Sequence, residues 1–425
     1  MDSLTNSQDN FITQYLDYIG YVETPTIYNR WSCLSMLGAL LGRQYQLEFG
    51  HFNINPNQYV MLIGTSGARK STAIKVSKKI LSMTGYDTIS ADKSSKEKFM
   101  LDLAGIDTEG DGNSKNADSM LDNNLWGDDD NNSDASEMYI ACDEFNDFIG
   151  NGNLEFISLL GNLWDFEGVF KNRIKNGKSV NINNPTVNIL GGNTPTNFVR
   201  AFPTDTLGQG FFGRLLLIYG EPTGRKITFP VAPTAEATAN IVQSLMMVKQ
   251  YAVGKTQLSA KVKLLIDKIY KTWGGIDDIR FESYATRRLT HMLKLCLIIS
   301  ASNFRNFITE EDVVIANTVL THTENLMPKA LGEFGKSRNS DITHKVMSIL
   351  NNATYAMPLK DIWEIVHNDM DKLNDLAEMV RNLVAANKVL TVGGGFLPNK
   401  KVIEEVSSDI LDYSCLTQEE RNMVK

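Results

Sequence analysis

The sequence predicts an α/β fold: a parallel sheet with helices on both faces, opened by a helical segment and followed by an all-helical region and a winged helix. Three observations predict it. Short apolar runs (Tyr59 to Ile63, Met138 to Cys142, Thr186 to Leu190, Arg214 to Tyr219) alternate with stretches of helical periodicity. The run Gly64-Thr65-Ser66-Gly67-Ala68-Arg69-Lys70-Ser71 follows the first of them and leads into a helix-like stretch, Thr72 to Met83. From about Ser259 to Leu331 the pattern becomes wholly helical, with Leu289, Met292, Leu293, Leu295 and Cys296 on one stripe.

The elements follow in order. Residues 8–42 read as helices: Phe11, Tyr15, Leu16 and Ile19 fall at helical spacing, as do Trp31, Leu34, Leu37 and Leu41, with Gly42 as C-cap. A strand over Tyr45 to Phe49 precedes the Tyr59 strand. A further strand at Thr88-Ile89-Ser90 is followed by a helix from Ser95 to Leu103 and one from Leu154 to Trp164. Beyond Asp341, a helix (Ile342 to Leu350), a second opened by Pro358 (Leu359 to Val366) and a third (Lys372 to Ala386) lead to a wing. The wing is Val389 to Val392, a turn at Gly393-Gly394-Gly395, then Phe396-Leu397. The expected division is 1–50 helical, 51–255 α/β core, 256–335 helical lid, 340–405 winged helix and 406–425 tail.

Composition narrows the classes. A chain of 425 residues holds two or three domains. Met1 to Thr5 lacks the basic and apolar features of a secretory leader, and Leu295 to Ala301 is too short to span a bilayer. Cys33, Cys142, Cys296 and Cys415 are scattered without a CxxC pair, so free thiols in the cytoplasm are expected. The net charge of −8 is unevenly spread: Asp107 to Glu137 carries −9, which leaves the rest at +1. That Asn-, Asp- and Ser-rich stretch, about 105–136, reads as a disordered acidic insertion. The folded body is near neutral and can carry a local basic surface.

Strand, glycine-bearing loop and helix form the context a phosphate-binding loop needs. Backbone N–H groups and a helix N-terminus face one concavity, which favours anions. Lys70 would reach the β- and γ-phosphates and the Ser71 hydroxyl would hold Mg²⁺. Gly64 to Thr72 are the expected ATP contacts. The pattern departs from the usual one at Arg69, where glycine is normal; the alternative is a chance Gly/Ser turn. About 70 residues on, Met138 to Cys142 ends in Asp143-Glu144. Asp143 can bind Mg²⁺ through water, and Glu144 can deprotonate the attacking water. Alone, such a pair is more often a surface turn. Gly191-Gly192-Asn193 ends the next strand, where the Asn193 amide would polarise that water; an Asn-Thr-Pro turn is the alternative. Arg214, just before a strongly apolar strand, can enter a neighbouring subunit's site as a finger on transition-state charge, or form a strand-edge salt bridge.

These motifs together resemble the ATPase core of AAA+ replicative helicases, nearest the minichromosome-maintenance type and helicase-like ATPases of phages and mobile elements. The resemblance rests on the loop, on Cys142-Asp143-Glu144-Phe145, on Asn193 with Pro195, and on Gly213-Arg214-Leu215, over residues 55–330. It implies a lid arginine on the γ-phosphate, for which Arg288 in Thr286-Arg287-Arg288-Leu289 is the first choice and Arg287 the second. It further implies a homo-oligomeric ring, a hexamer, and a hairpin before the Asn193 strand that grips nucleic acid in the ring's pore. Phe170 to Val180 carries an Asn176-Gly177 turn with Lys171, Arg173, Lys175 and Lys178 around it and no acid. Lysines there would contact phosphates regardless of sequence and with strong salt dependence; the alternative is an ordinary solvated hairpin.

The expectation is therefore an ATP-driven, ring-forming DNA helicase or translocase of phage or mobile-element replication. It would act on single-stranded or forked DNA, without membrane contact. The third helix of the winged helix mixes Asp371, Asp375 and Glu378 with Lys372 and Arg381, so a contact with replication proteins is as reasonable as base reading. Two alternatives stay open: an initiator or helicase loader acting as an ATP-dependent DNA-binding switch, and a non-motor role in defence or packaging.

Overall fold

A computed structural model describes residues 10–106, 136–150, 152–173, 179–202, 210–332 and 409–423, and within 333–408 residues 342, 345–347, 349–350, 353, 355–367, 369–370, 372–385 and 389–398. The acidic stretch 107–135 and the hairpin tip 174–178, with Lys175 and Lys178, lie outside the described residues.

Two helices open the fold, α1 (Phe11–Tyr18) and α2 (Thr26–Leu41). They lead to β1 (Tyr45–Phe49), β2 (Phe52–Ile54) and β3 (Tyr59–Ile63), then α3 (Lys70–Ser82) and α4 (Lys96–Leu103). The next elements are β4 (Glu137–Cys142), α5 (Phe145–Ile149), α6 (Leu154–Leu163), the hairpin β5 (Val169–Arg173) and β6 (Ser179–Asn183), β7 (Thr186–Asn193), α7 (Pro195–Ala201) and β8 (Leu215–Tyr219). Helices α8 (Ala235–Tyr251), α9 (Ala260–Thr272), α10 (Glu282–Ala285), α11 (Arg288–Ser302) and α12 (Glu310–Leu331) follow, with a short strand β9 (Gly254–Thr256) between the first two.

The central sheet is parallel, in the order β4-β7-β3-β8. Ile89 adds one parallel bridge to Tyr139 on the outer side of β4, where a full strand was expected. The β3, β4 and β7 strands are buried along nearly their whole length, as a sheet covered on both faces requires. A second, three-stranded sheet, β2-β1-β9, pairs β1 antiparallel with β2 and parallel with β9.

The N-terminal helices belong to this body. Helix α2 is buried on almost every side and packs on β3, β7, β8 and α3. A Cβ at Gly38 would come within 2.6 Å of the Pro56 carbonyl, so glycine is what lets α2 lie this close. Residues 1–332 and 409–425 form one compact unit, and 333–408 a second, set into the chain of the first. The segment expected as a tail is thus part of the larger unit. Arg30 on α2 makes a bidentate ion pair with Glu420, at 2.6 and 2.7 Å, and both side chains are buried. Helix α15 (Gln418–Asn422) carries Glu420, and His322 on α12 donates to the Glu420 carbonyl at 2.7 Å. Removing one partner of such a pair strands a buried charge, a cost of about 3–5 kcal/mol. Glu420→Ala should therefore lower the thermal unfolding midpoint clearly; an unchanged midpoint would show that the clasp contributes nothing.

The second unit contains α13 (Leu359–Val366), α14 (Leu373–Ala385) and the antiparallel hairpin β10 (Val389–Val392) and β11 (Gly395–Pro398). Ile342, Val346, Leu350, Ile362, Val366, Leu376, Val380 and Val389 share one core. Gly393 and Gly394 make the turn with positive φ, 57° and 81°, as a two-residue hairpin loop demands. Gly395 begins β11 rather than extending the turn. Met357 exchanges backbone bonds with Phe396, adding a third short stretch to the hairpin.

Candidate active site

Strand β3 ends at Ile63, and the chain turns through Gly64 to Arg69 before α3 begins at Lys70. The amides of Thr72 and Ala73 donate to the Arg69 carbonyl, while those of Lys70 and Ser71, in the first turn of α3, have no backbone acceptor among the described residues. Gly67 has φ +86° and Arg69 φ +61°; the left-handed conformation is easy for glycine and costs a side-chain-bearing residue about 1 kcal/mol. The Arg69 guanidinium is held by Glu23, whose Oε2 accepts from Nη2 at 2.5 Å and from Nε at 3.0 Å. The other oxygen of Glu23 accepts the Ile227 N–H, and these bonds, the backbone one first, hold its carboxyl below the ordinary range.

Lys70 is buried, and its ammonium donates to the carbonyls of Gly64 (2.8 Å) and Thr65 (3.0 Å). Burial pulls its pKa down while the charge of Glu144 opposes the shift. This is a cation turned back on neutral carbonyls of its own loop. Ser71 stands half-buried in the first turn of α3.

The tips of β4 and β7 reach the same edge. Because β7 lies between β3 and β4, Asn193 is flanked by the Gly64–Arg69 loop on one side and by Asp143-Glu144 on the other. The Gly64 N–H approaches the Asn193 carbonyl at 3.4 Å, so loop and strand tip are joined directly. A Cβ at Gly192 would lie 2.3 Å from the Asp143 carbonyl; that glycine lets the two tips close. Asp143 pairs with Lys75 of α3 at 2.7 Å, and Glu144 is solvent-exposed. The Asn193 side chain is fully buried; its amide donates to Asn146 Oδ1 at 2.7 Å and its oxygen accepts the Thr194 N–H at 3.0 Å. Asn146 did not stand out in the sequence, although it lies two residues beyond Glu144.

Arg214 lies at the other end of the sheet. In the parallel register Leu215 faces Tyr59 and Tyr219 faces Ile63, so Arg214 is some six strand residues from Gly64. At about 3.3 Å per residue that is roughly 20 Å, beyond a side chain's reach. Its guanidinium sits 5.7 Å from the centre of the Trp164 ring and donates to the Gly210 carbonyl, and its Nε has no partner among the described residues. Burial lowers its pKa, and Arg287 adds to the effect.

The two lid candidates separate clearly. Arg288 is buried, bonded to Glu324 (2.7 Å) and Asn317 (2.9 Å), and stacked on Trp273 at 4.8 Å. Its place is interior, and its bonds serve the packing of α11 on α12. Arg287 is half-exposed and packs beside Gly213, close enough to act electrostatically on Arg214. On the hairpin, Lys171 is exposed and pairs with Asn181, and Arg173 ends β5.

Ser71 and Asp143 supply the hydroxyl and carboxylate oxygens that Mg²⁺ takes alongside phosphate oxygens and water, so the residues present fit that ion. Comparison with family models gives no match to this chain, and comparison with curated proteins gives none either. The four cysteines are free thiols. Among the described residues no helix is long and apolar enough to cross a membrane.

Proposed function

We propose that this chain is an AAA+ ATPase that hydrolyses ATP in a ring of its own copies, a hexamer, and moves along or remodels DNA. The observation that carries the reading is the convergence of three strand tips, Gly64 to Ser71, Asp143-Glu144 and Asn193, with the Asn193 strand between the other two. Lys70 would neutralise the β- and γ-phosphates, and the α3 amides would cradle them. Glu144, exposed beside Lys70, would take the proton of the attacking water. Asn193 would orient that water, exchanging its bond to Asn146 for one to the water. Bound Mg²⁺, held by Ser71 and Asp143, would supply charge neutralisation at the transferring phosphoryl group.

Arg214 cannot serve its own loop across the sheet, which supports a role on a neighbour's nucleotide. The half-exposed Arg287 beside it is the better candidate than Arg288 for a second cation there. Each site would then be complete only between two copies, so hydrolysis depends on assembly. The basic hairpin, Lys171, Arg173, Lys175 and Lys178, would contact the nucleic-acid backbone. The order of helices and hairpin in 342–398 supports a winged helix, whose acidic third helix suits a replication-protein partner.

The test is ATP turnover by the full chain with and without single-stranded DNA. Stimulation that weakens steeply with salt is the expected result. DNA binding with slow, unstimulated turnover would favour the loader reading, and no DNA binding at low salt would favour a defence or packaging role.

A further inference from the structure

The phosphate loop is braced from outside the motif, by the segment that joins α1 to α2 and by α2 itself. Glu23 lies on that connection and holds Arg69 by two bonds, at 2.5 and 3.0 Å. Arg69 is the residue that replaces the usual glycine, and it stands in the left-handed conformation that glycine adopts freely. Five residues on, the fully buried Tyr28 hydroxyl lies 2.7 Å from the Ile63 carbonyl and 2.8 Å from that of Gly220, sharing its proton between the ends of β3 and β8. Its ring fills the space a side chain would need at Gly64 or Gly220: a Cβ at Gly64 would meet the hydroxyl at 2.2 Å, and one at Gly220 the ring at 2.7 Å. The floor of the loop and its last residue before Lys70 are thus both fixed by the same short stretch, 23–28.

We propose that Glu23 and Tyr28 are positioning residues of the nucleotide site. Glu23 replaces, through Arg69, the conformational preference that a glycine would supply, and Tyr28 fixes the entrance of the loop. Neither touches the phosphates. The inference rests on the reading of Gly64 to Ser71 as an ATP site. It has a specific consequence: Glu23 is needed only because residue 69 is not glycine.

The experiment measures the affinity of the full chain for a fluorescent ATP analogue in Glu23→Ala, Arg69→Gly, the double variant, Tyr28→Phe and Lys70→Ala, with thermal unfolding to check each fold. Glu23→Ala should weaken binding about fivefold, the factor that the left-handed cost of one residue corresponds to when 1.4 kcal/mol is tenfold. Adding Arg69→Gly should restore it, because glycine needs no anchor there. A merely structural role for Glu23, such as holding Ile227, would not be rescued by a change at residue 69. Tyr28→Phe keeps the ring and should weaken binding while the chain stays folded. Wild-type affinity in both Glu23→Ala and Tyr28→Phe, with Lys70→Ala impaired, would overturn the brace and leave the ATP site standing. Unchanged affinity in Lys70→Ala as well would overturn the ATP site itself.

Discussion

Lys70→Ala is expected to raise the dissociation constant for ATP by about 10- to 100-fold, the value of one or two hydrogen bonds from a charged donor. The ammonium already occupies the loop, donating to Gly64 and Thr65, and burial has stripped part of its water. A triphosphate offers it anionic oxygens in place of those carbonyls, so much of its desolvation precedes binding. The fold should tolerate the change, since Thr65 is exposed and water can reach its carbonyl in place of the ammonium. A fluorescent analogue titrated into variant and parent reads the difference. Equal affinities would refute the assignment of this loop.

Arg214→Ala should separate binding from turnover. The proposed nucleotide contacts of each copy lie at the β3, β4 and β7 tips, while Arg214 precedes β8 at the opposite end. Affinity is therefore expected to stay near the parent's while turnover falls by about 10³-fold or more, the usual effect of losing an arginine finger. Arg214 also packs over Trp164, so lost packing alone would be a second cause of lower turnover. Mixed assemblies distinguish the two causes. On the proposed reading, a Glu144→Gln copy would be inert on its own nucleotide yet would present Arg214 to a neighbour with an intact Glu144. Mixing the two inactive variants should thus regain activity, which a packing defect would not. Normal hydrolysis by Arg214→Ala alone would remove the finger from the account.

Much of the fold was legible because its strands are unbroken apolar runs bounded by glycine and polar residues. Tyr59 to Ile63, Met138 to Cys142 and Leu215 to Tyr219 could be little else in a chain that alternates them with helical periods. The strand at Thr186 continues past its apolar run through Gly191 and Gly192 to Asn193, as the Gly-Gly-Asn ending implied, and Met61, Phe145 and Asp143 leave no room there for side chains. The three-residue strands at Phe52 and Gly254 are too short to show a period, and Thr88 to Ser90 supplies one bridge where a strand was read. Helix α2 showed an apolar stripe, yet its polar face is buried too: Arg30 finds Glu420 from 390 residues away, a pairing no local pattern encodes.

The site divides along the same line. The placement of Lys70, Asp143, Glu144 and Asn193 at one edge of the sheet was readable because motif and strand end coincide in sequence. Arg287 and Arg288 were not separable, since which one faces inward depends on Glu324 and Trp273, elements distant in the chain. Glu23 and Tyr28 carry no motif; their meaning comes only from the loop they reach in the fold.

On the proposed reading, two adjacent copies build one triphosphate pocket. Sedimentation of the full chain with ATP and forked DNA, read beside ATP turnover across the same protein concentrations, tests it most directly. Activity per chain should rise in step with ring formation and vanish where the chain sediments as a monomer. A monomer that hydrolyses ATP at the full rate would contradict it.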